Sequence, residues 1–181
     1  MKQVQWAHFS WDLTKGAPPC PPLPPAYAIR RATPEDHDSA RAVVLSAFTL
    51  DSDWNPFWGE IRPLIETALH EVFHEKSEPL CLLLTHGTRI IGASGLSSER
   101  EGRKHLLTGP CLSMEYHNRG FATALLGRSL LALREAGVAT ARGVTKQGSA
   151  TAQFVYPKFG STLVSDGKRQ PPSSTKLACL M

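Results

Sequence analysis

One polar turn holds the residue types best suited to chemistry. Residues 112–126 read Leu-Ser-Met-Glu-Tyr-His-Asn-Arg-Gly-Phe-Ala-Thr-Ala-Leu-Leu. After the turn, Ala122, Leu125, Leu126, Ser129, Leu130 and Leu133 recur at helical spacing. Strand, turn and helix in that order aim the N–H groups of the first helical turn, and the positive end of the helix dipole, at one point. Gly120 lets an anion come close to the backbone there, so the turn suits a phosphate or pyrophosphate. The same pattern also fits an ordinary strand-to-helix turn that binds nothing, and the residues alone leave both readings open. A dinucleotide fold is disfavoured. It requires Gly-x-Gly-x-x-Gly near the first strand, whereas this turn has a single glycine and lies late in the chain.

The elements that must hold this turn can be read from periodicity and punctuation. Residues 1–16 contain Val4, Trp6, Phe9 and Trp11, a short strand or a packing arm. A Pro-rich linker follows, stiff and extended, so residues 1–26 read as an appended arm. The arm can cover an edge, reach a second subunit in a homodimer, or stay poorly ordered; the sequence does not choose. Residues 27–181 read as one domain. It begins with a strand over 27–31, and Thr33-Pro34-Glu35-Asp36 then starts a helix whose buried face is Ala40, Val43, Val44, Ala47 and Phe48. A loop over 51–59 carries Trp54, Phe57 and Trp58. The next helix buries Ile61, Ile65, Leu69 and Val72, with Pro63 confined to its first turn. Residues 80–86 and 89–96 form a hairpin about Gly87-Thr88, and 105–114 form the central strand. The central helix spans 119–136, a strand 138–145 and a short helix 149–159. A closing hairpin pairs 161–165 with 175–180. This order gives a mixed sheet with helices on both faces.

Composition bounds the function. A chain of 181 residues, 41% hydrophobic and 20% charged, has material for one core. Its net charge is +4, with Lys and Arg scattered, so no nucleic-acid surface is expected. No apolar run approaches membrane-spanning length, no signal pattern opens the chain, and a cytoplasmic protein is expected. Cys20, Cys81, Cys111 and Cys179 make no Cys-x-x-Cys pair and no metal spacing; reduced thiols are expected, mostly buried.

The element order, with two local motifs, resembles the GNAT superfamily of acyl-CoA-dependent N-acyltransferases over residues 27–181. The family's central turn carries Arg/Gln-x-x-Gly-x-Gly/Ala. Here it reads His117-Asn118-Arg119-Gly120-Phe121-Ala122, preceded by the typical Glu115-Tyr116, with His117 in place of Arg or Gln. The downstream motif, Asn-x-x-Ala-x-x-x-Tyr-x-Lys-x-Gly-Phe, is matched by Ala152, Tyr156, Lys158 and Gly160. Ser149 stands for the Asn, and Pro157 is unusual.

The resemblance implies an α/β (α+β) fold: a mixed, mainly antiparallel sheet with a splayed central strand pair. It implies acetyl-CoA as the acyl-donor cosubstrate. Asn118, Arg119, Gly120, Phe121, Ala122 and Thr123 would hold the pyrophosphate. Met114 would hold the pantetheine arm by its main chain, and Ser149 would also contact the cofactor. Leu112 would supply a backbone N–H to the oxyanion, and Tyr156 the acid for the departing thiolate.

The implied reaction is direct acetyl transfer to a primary amine. A free alkylamine has a pKa of roughly 10, so a base or a desolvating pocket must free its lone pair. No base is identified. Val144 occupies the position where some relatives carry Glu, and Asp51, Asp53, Glu60, His70, His74 and His105 are the candidates. Trp54, Phe57 and Trp58 could line an acceptor pocket or simply pack. The rival class is a GNAT-like module that binds an acyl-CoA or a protein partner without turnover.

Overall fold

The structure is a computed structural model, and it describes residues 4–74 and 78–164. Its elements run β1 (Trp6–Asp12), β2 (Tyr27–Arg31), α1 (His37–Leu50), α2 (Trp58–His74), β3 (Cys81–His86), β4 (Arg89–Gly95), β5 (Cys111–Leu112), α3 (Phe121–Glu135), β6 (Thr140–Lys146) and β7 (Thr162–Val164).

Two sheets form, β2-β3-β4-β5 and β6-β1-β7, and every strand pairing within them is antiparallel. The β3–β4 hairpin turns at Gly87, whose φ of 58° needs no Cβ. β3 is apolar on both faces because helices cover both. Leu82 and Leu84 join α3 in one core, while Cys81 and Leu83 join α1 and α2 in the other. The result is the mixed α+β architecture with helices on both sides of the sheet. No helix among the described residues is long and apolar enough to cross a membrane.

The arm is not an appendage. β1 is the middle strand of its sheet, paired with β6 from Trp6↔Lys146 to Asp12↔Thr140 and with β7 from His8 to Ser10. Its alternation explains this: Ala7, Phe9 and Trp11 bury one face in the α3-side core, and both backbone edges find partners. The Pro-rich linker then lies on α3. A Cβ at Gly127 would stand 2.8 Å from the Pro19 carbonyl oxygen.

Three other expectations change. The central strand is only Cys111–Leu112, because Gly109 takes φ 69° and Pro110 has no N–H to give the ladder. Leu106 makes isolated bridges to Leu96 and to Gly143 instead. Pro63 lies beyond the first turn of α2, since that helix already starts at Trp58 behind a 3₁₀ turn at Asn55–Phe57. The helix expected over 149–159 is a single π turn, Thr151–Val155, closed before Pro157. The strand expected over 175–180, and Cys179, lie outside the described residues.

Candidate active site

The cleft arises from where β5 stops pairing. Ser113 N–H donates to the Ile91 carbonyl at 2.8 Å, and Leu112 sits opposite Gly92. Antiparallel alternation therefore turns the Leu112 N–H and C=O away from β4, toward β6. No ladder joins β5 to β6, and the two strands belong to different sheets. The gap is a cleft of about 660 Å³, its open mouth included. Leu107 to Leu112 and His117 line one side; Val144, Thr145, Thr151 and Tyr156 line the other. Trp6, Ala47, Phe48, Asp51 and Trp54 complete it.

The polar turn is held firmly. Glu115 accepts from Arg89 at 2.7 Å, Tyr116 Oη lies 3.0 Å from His86 Nδ1, and the Arg119 guanidinium sits 5.5 Å from the Tyr116 ring centre. Asn118 and Gly120 take φ of 59° and 79°. The first α3 hydrogen bond runs from Ala124 N–H to Gly120 C=O, so the N–H groups of Phe121, Ala122 and Thr123 precede the ladder. Lys158 Nζ donates to Thr123 Oγ1 at 3.1 Å, placing an ammonium beside the same helix end. A Cβ at Gly120 would meet nothing within 4 Å, so there is open space over this cradle. Open space, free N–H groups and flanking cations fit a pyrophosphate.

Tyr156 is 1% exposed, and its ring is clamped by Phe9 and Trp11 at 5.4 and 5.3 Å, both edge to face. Its hydroxyl sits over Gly109, where a Cβ would approach to 2.8 Å. Gly143 makes room for the ring, since a Cβ there would lie 3.2 Å from Tyr156 Cε2. Burial pushes the phenol pKa above its ordinary value, which keeps the proton on it.

The other expected site residues divide. Leu112 lines the cleft with its main chain turned inward, and His117 Nε2 lies 3.2 Å from the Leu112 carbonyl. The Met114 carbonyl accepts the His117 N–H at 3.1 Å, while its side chain is exposed. Ser149 is buried, its hydroxyl accepting the Ala152 N–H at 3.2 Å and lying 3.3 Å from Thr145 Oγ1, so it is engaged in the chain's own turn.

Among the candidate bases, Asp51 alone lines the cleft. Asp53 pairs with Lys146 at 3.6 Å. His105 is fully buried, with Nδ1 accepting the Arg142 N–H and Nε2 directed at the Glu99 carbonyl, both at 3.0 Å. Desolvation lowers its pKa, which suits a neutral structural imidazole. The His70 and His74 rings lie one turn apart on α2, their centres 4.9 Å apart and their planes tilted by 36°. Cys111 forms part of the cleft wall, but its thiol is buried, donates to the Thr108 carbonyl at 3.4 Å and has its pKa pushed up to about 12 by desolvation, so it is no ready nucleophile.

Of the aromatic loop, Trp54 reaches the cleft, while Phe57 and Trp58 pack against the α1–α2 core. Trp6, Phe48 and Lys158 were not singled out as site residues from sequence. Lys158 carried a signal in its motif position; Trp6 and Phe48 carried only their alternation and helical spacing. Among the described residues no group of three metal-ligating side chains forms.

No protein-family model matches the chain, and no curated protein does. Solved structures do. A GCN5-related N-acetyltransferase from Sphaerobacter thermophilus superposes with TM-score 0.61 at 18% identity, over 90% of this chain and 50% of that one. A GCN5-related N-acetyltransferase from Kribbella flavida gives 0.57 at 12%, over 87% and 53%. A GNAT-family protein from Novosphingobium aromaticivorans gives 0.52 at 14%, over 89% and 60%. The chain thus has the GNAT fold and spans about half the length of the first of these structures.

Proposed function

We propose that the chain is an N-acetyltransferase that moves an acetyl group from acetyl-CoA directly to a primary amine. One observation carries this reading: the unpaired edge of β5, with the Leu112 N–H turned into the cleft, runs from the free N-terminus of α3 to the buried Tyr156 hydroxyl.

Acetyl-CoA, when bound, supplies an activated thioester carbonyl. The N–H groups of Phe121, Ala122 and Thr123, with Lys158 and Arg119 beside them, are placed to hold its pyrophosphate. The Leu112 N–H is placed to donate to the oxygen that gains charge when the amine attacks. The new C–N bond forms as the C–S bond breaks. The acceptor ammonium gives one proton to solvent before it attacks and the nitrogen a second afterwards, while Tyr156 gives its proton to the thiolate and recovers one from water. The raised Tyr156 pKa supports this role, since the acid stays protonated at neutral pH. Cys111, held as a thiol, supports transfer without an acyl-cysteine.

Thermal unfolding with acetyl-CoA, free CoA and NAD tests the cofactor. Ligand at about 100 times its Kd stabilises by roughly 2.7 kcal/mol. A rise in Tm with acetyl-CoA and CoA but not NAD supports the reading, and no rise at millimolar acetyl-CoA removes it. The rival reading, an acyl-CoA-binding module without turnover, draws on Ser149, whose hydroxyl is used in the local turn. It predicts the same shift with no amine-dependent CoA release.

A further inference from the structure

The cleft has a second end whose chemistry differs from the first. There Trp6, Phe48 and Trp54 form an aromatic wall: the Trp6 and Trp54 rings lie 6.1 Å apart, and Phe48 meets Trp54 at 5.2 Å, nearly perpendicular. Trp6 comes from β1 on the strand face opposite Phe9 and Trp11, so one strand serves both ends. Among the described residues Asp51, which follows α1, is the only carboxylate lining the cleft, and no Lys or Arg lines it. Its Oδ1 accepts the Asp53 N–H at 2.8 Å, which fixes the carboxylate at the C-terminal end of α1. Two ammonium groups near the cleft are already engaged: Lys146 is held by Asp53 and lies 6.0 Å from the Phe57 ring centre, and buried Lys104 donates to the Leu107 carbonyl at 2.7 Å.

We propose that the acceptor is a primary alkylamine with an aromatic or aliphatic body and no carboxylate, its ammonium received by Asp51 and its body by Trp6, Phe48 and Trp54. This rests on the acetyltransferase reading. Aromatic faces attract a cation and bury an apolar group, and a single carboxylate without a balancing cation repels an amino acid's own carboxylate. Amino acids and peptide termini bearing acidic neighbours are therefore poor acceptors.

The test pairs 2-phenylethylamine with phenylalanine, which has the same body plus a carboxylate. Quenching of tryptophan fluorescence reads binding, and CoA release reads turnover. The expected result is binding and kcat/KM at least ten-fold in favour of 2-phenylethylamine. Asp51→Asn, which keeps the Oδ1 acceptor, is expected to weaken 2-phenylethylamine roughly ten-fold with the KM for acetyl-CoA unmoved. Trp6→Leu is expected to weaken it without changing the acetyl-CoA shift in Tm. Equal handling of the two amines, or an Asp51→Asn protein that binds 2-phenylethylamine as wild type does, overturns the assignment. If acetyl-CoA still raises Tm in that case, only the acceptor class has failed. If acetyl-CoA raises no Tm, the transferase reading fails and the acceptor class with it.

Discussion

The indole of Trp11 meets the ring of Tyr156 edge to face at 5.3 Å, and its Nε1 donates to the Lys158 carbonyl at 2.9 Å. The donor and acceptor lie 147 residues apart in the chain. One side chain of β1 therefore fixes both the phenol in the cleft wall and the segment that brings Lys158 to the α3 N-terminus. Trp11→Phe keeps an edge for Tyr156 but leaves the Lys158 carbonyl without its indole donor. The expected loss of stability from this part-buried hydrogen bond is about 0.5–1.5 kcal/mol. In kinetics, a rise in the KM for acetyl-CoA and a fall in kcat are expected together, since Lys158 and Tyr156 share the segment. A variant that loses Tm but keeps both constants would make Trp11 purely structural.

Two glycines with positive φ make a contrast. Gly109 has φ 69°, and a Cβ there would stand 2.8 Å from Tyr156 Oη; Gly120 has φ 79° with nothing within 4 Å. Gly120→Ala is expected to cost about 1–2 kcal/mol from backbone strain alone. Gly109→Ala adds displacement of the buried phenol, so it is expected to lower Tm further and to reduce kcat. Parallel thermal melts and initial rates check the order. Equal melting temperatures would show that the Tyr156 hydroxyl does not rest on Gly109.

Two buried thiols set an alkaline limit. Desolvation raises Cys81 and Cys111 from 9.0 to about 12. Between those values the unfolded chain has released protons that the folded chain retains, so stability falls as pH rises. The contribution is whole below pH 9 and is lost as pH climbs toward 12, at about 1 kcal/mol per pH unit for each thiol. Denaturant midpoints across that window check the slope, which a Cys81→Ala, Cys111→Ala protein should reduce. A disulfide-exchange reagent should meanwhile reach both thiols only on unfolding.

Local structure was legible where the residues themselves carry it. The strand Tyr27–Arg31, the hairpin about Gly87 and the apolar stripe of α3 follow from alternation, a turn glycine and helical spacing. The turn at Gly120 was legible as a helix entrance for the same reason. The place of β1 was not, because its partner β6 lies far along the chain and the intervening Pro-rich segment reads locally as a separator. With it went the aromatic clamp on Tyr156, since Phe9 and Trp11 reach the phenol only once β1 enters the sheet. The central strand was overread: an apolar run shows burial, but Gly109 and Pro110 cut the ladder to Cys111–Leu112. Ser149 kept its hydrogen-bonding group at the expected position, yet its partners, Ala152 N–H and Thr145 Oγ1, are fixed by a π turn that spacing alone does not announce.

The central claim is acetyl transfer through this cleft with Tyr156 as the acid, and its most direct test is CoA release from acetyl-CoA with and without a primary amine. Wild type and Tyr156→Phe should be compared at saturating acetyl-CoA. The substitution keeps the ring that Phe9 and Trp11 hold and removes only the hydroxyl. The predicted result is amine-dependent release by wild type and a fall of about 10²–10⁴ in kcat for Tyr156→Phe, with the acetyl-CoA shift in Tm intact in both. Release that no amine stimulates, or equal rates for the two proteins, would contradict the account.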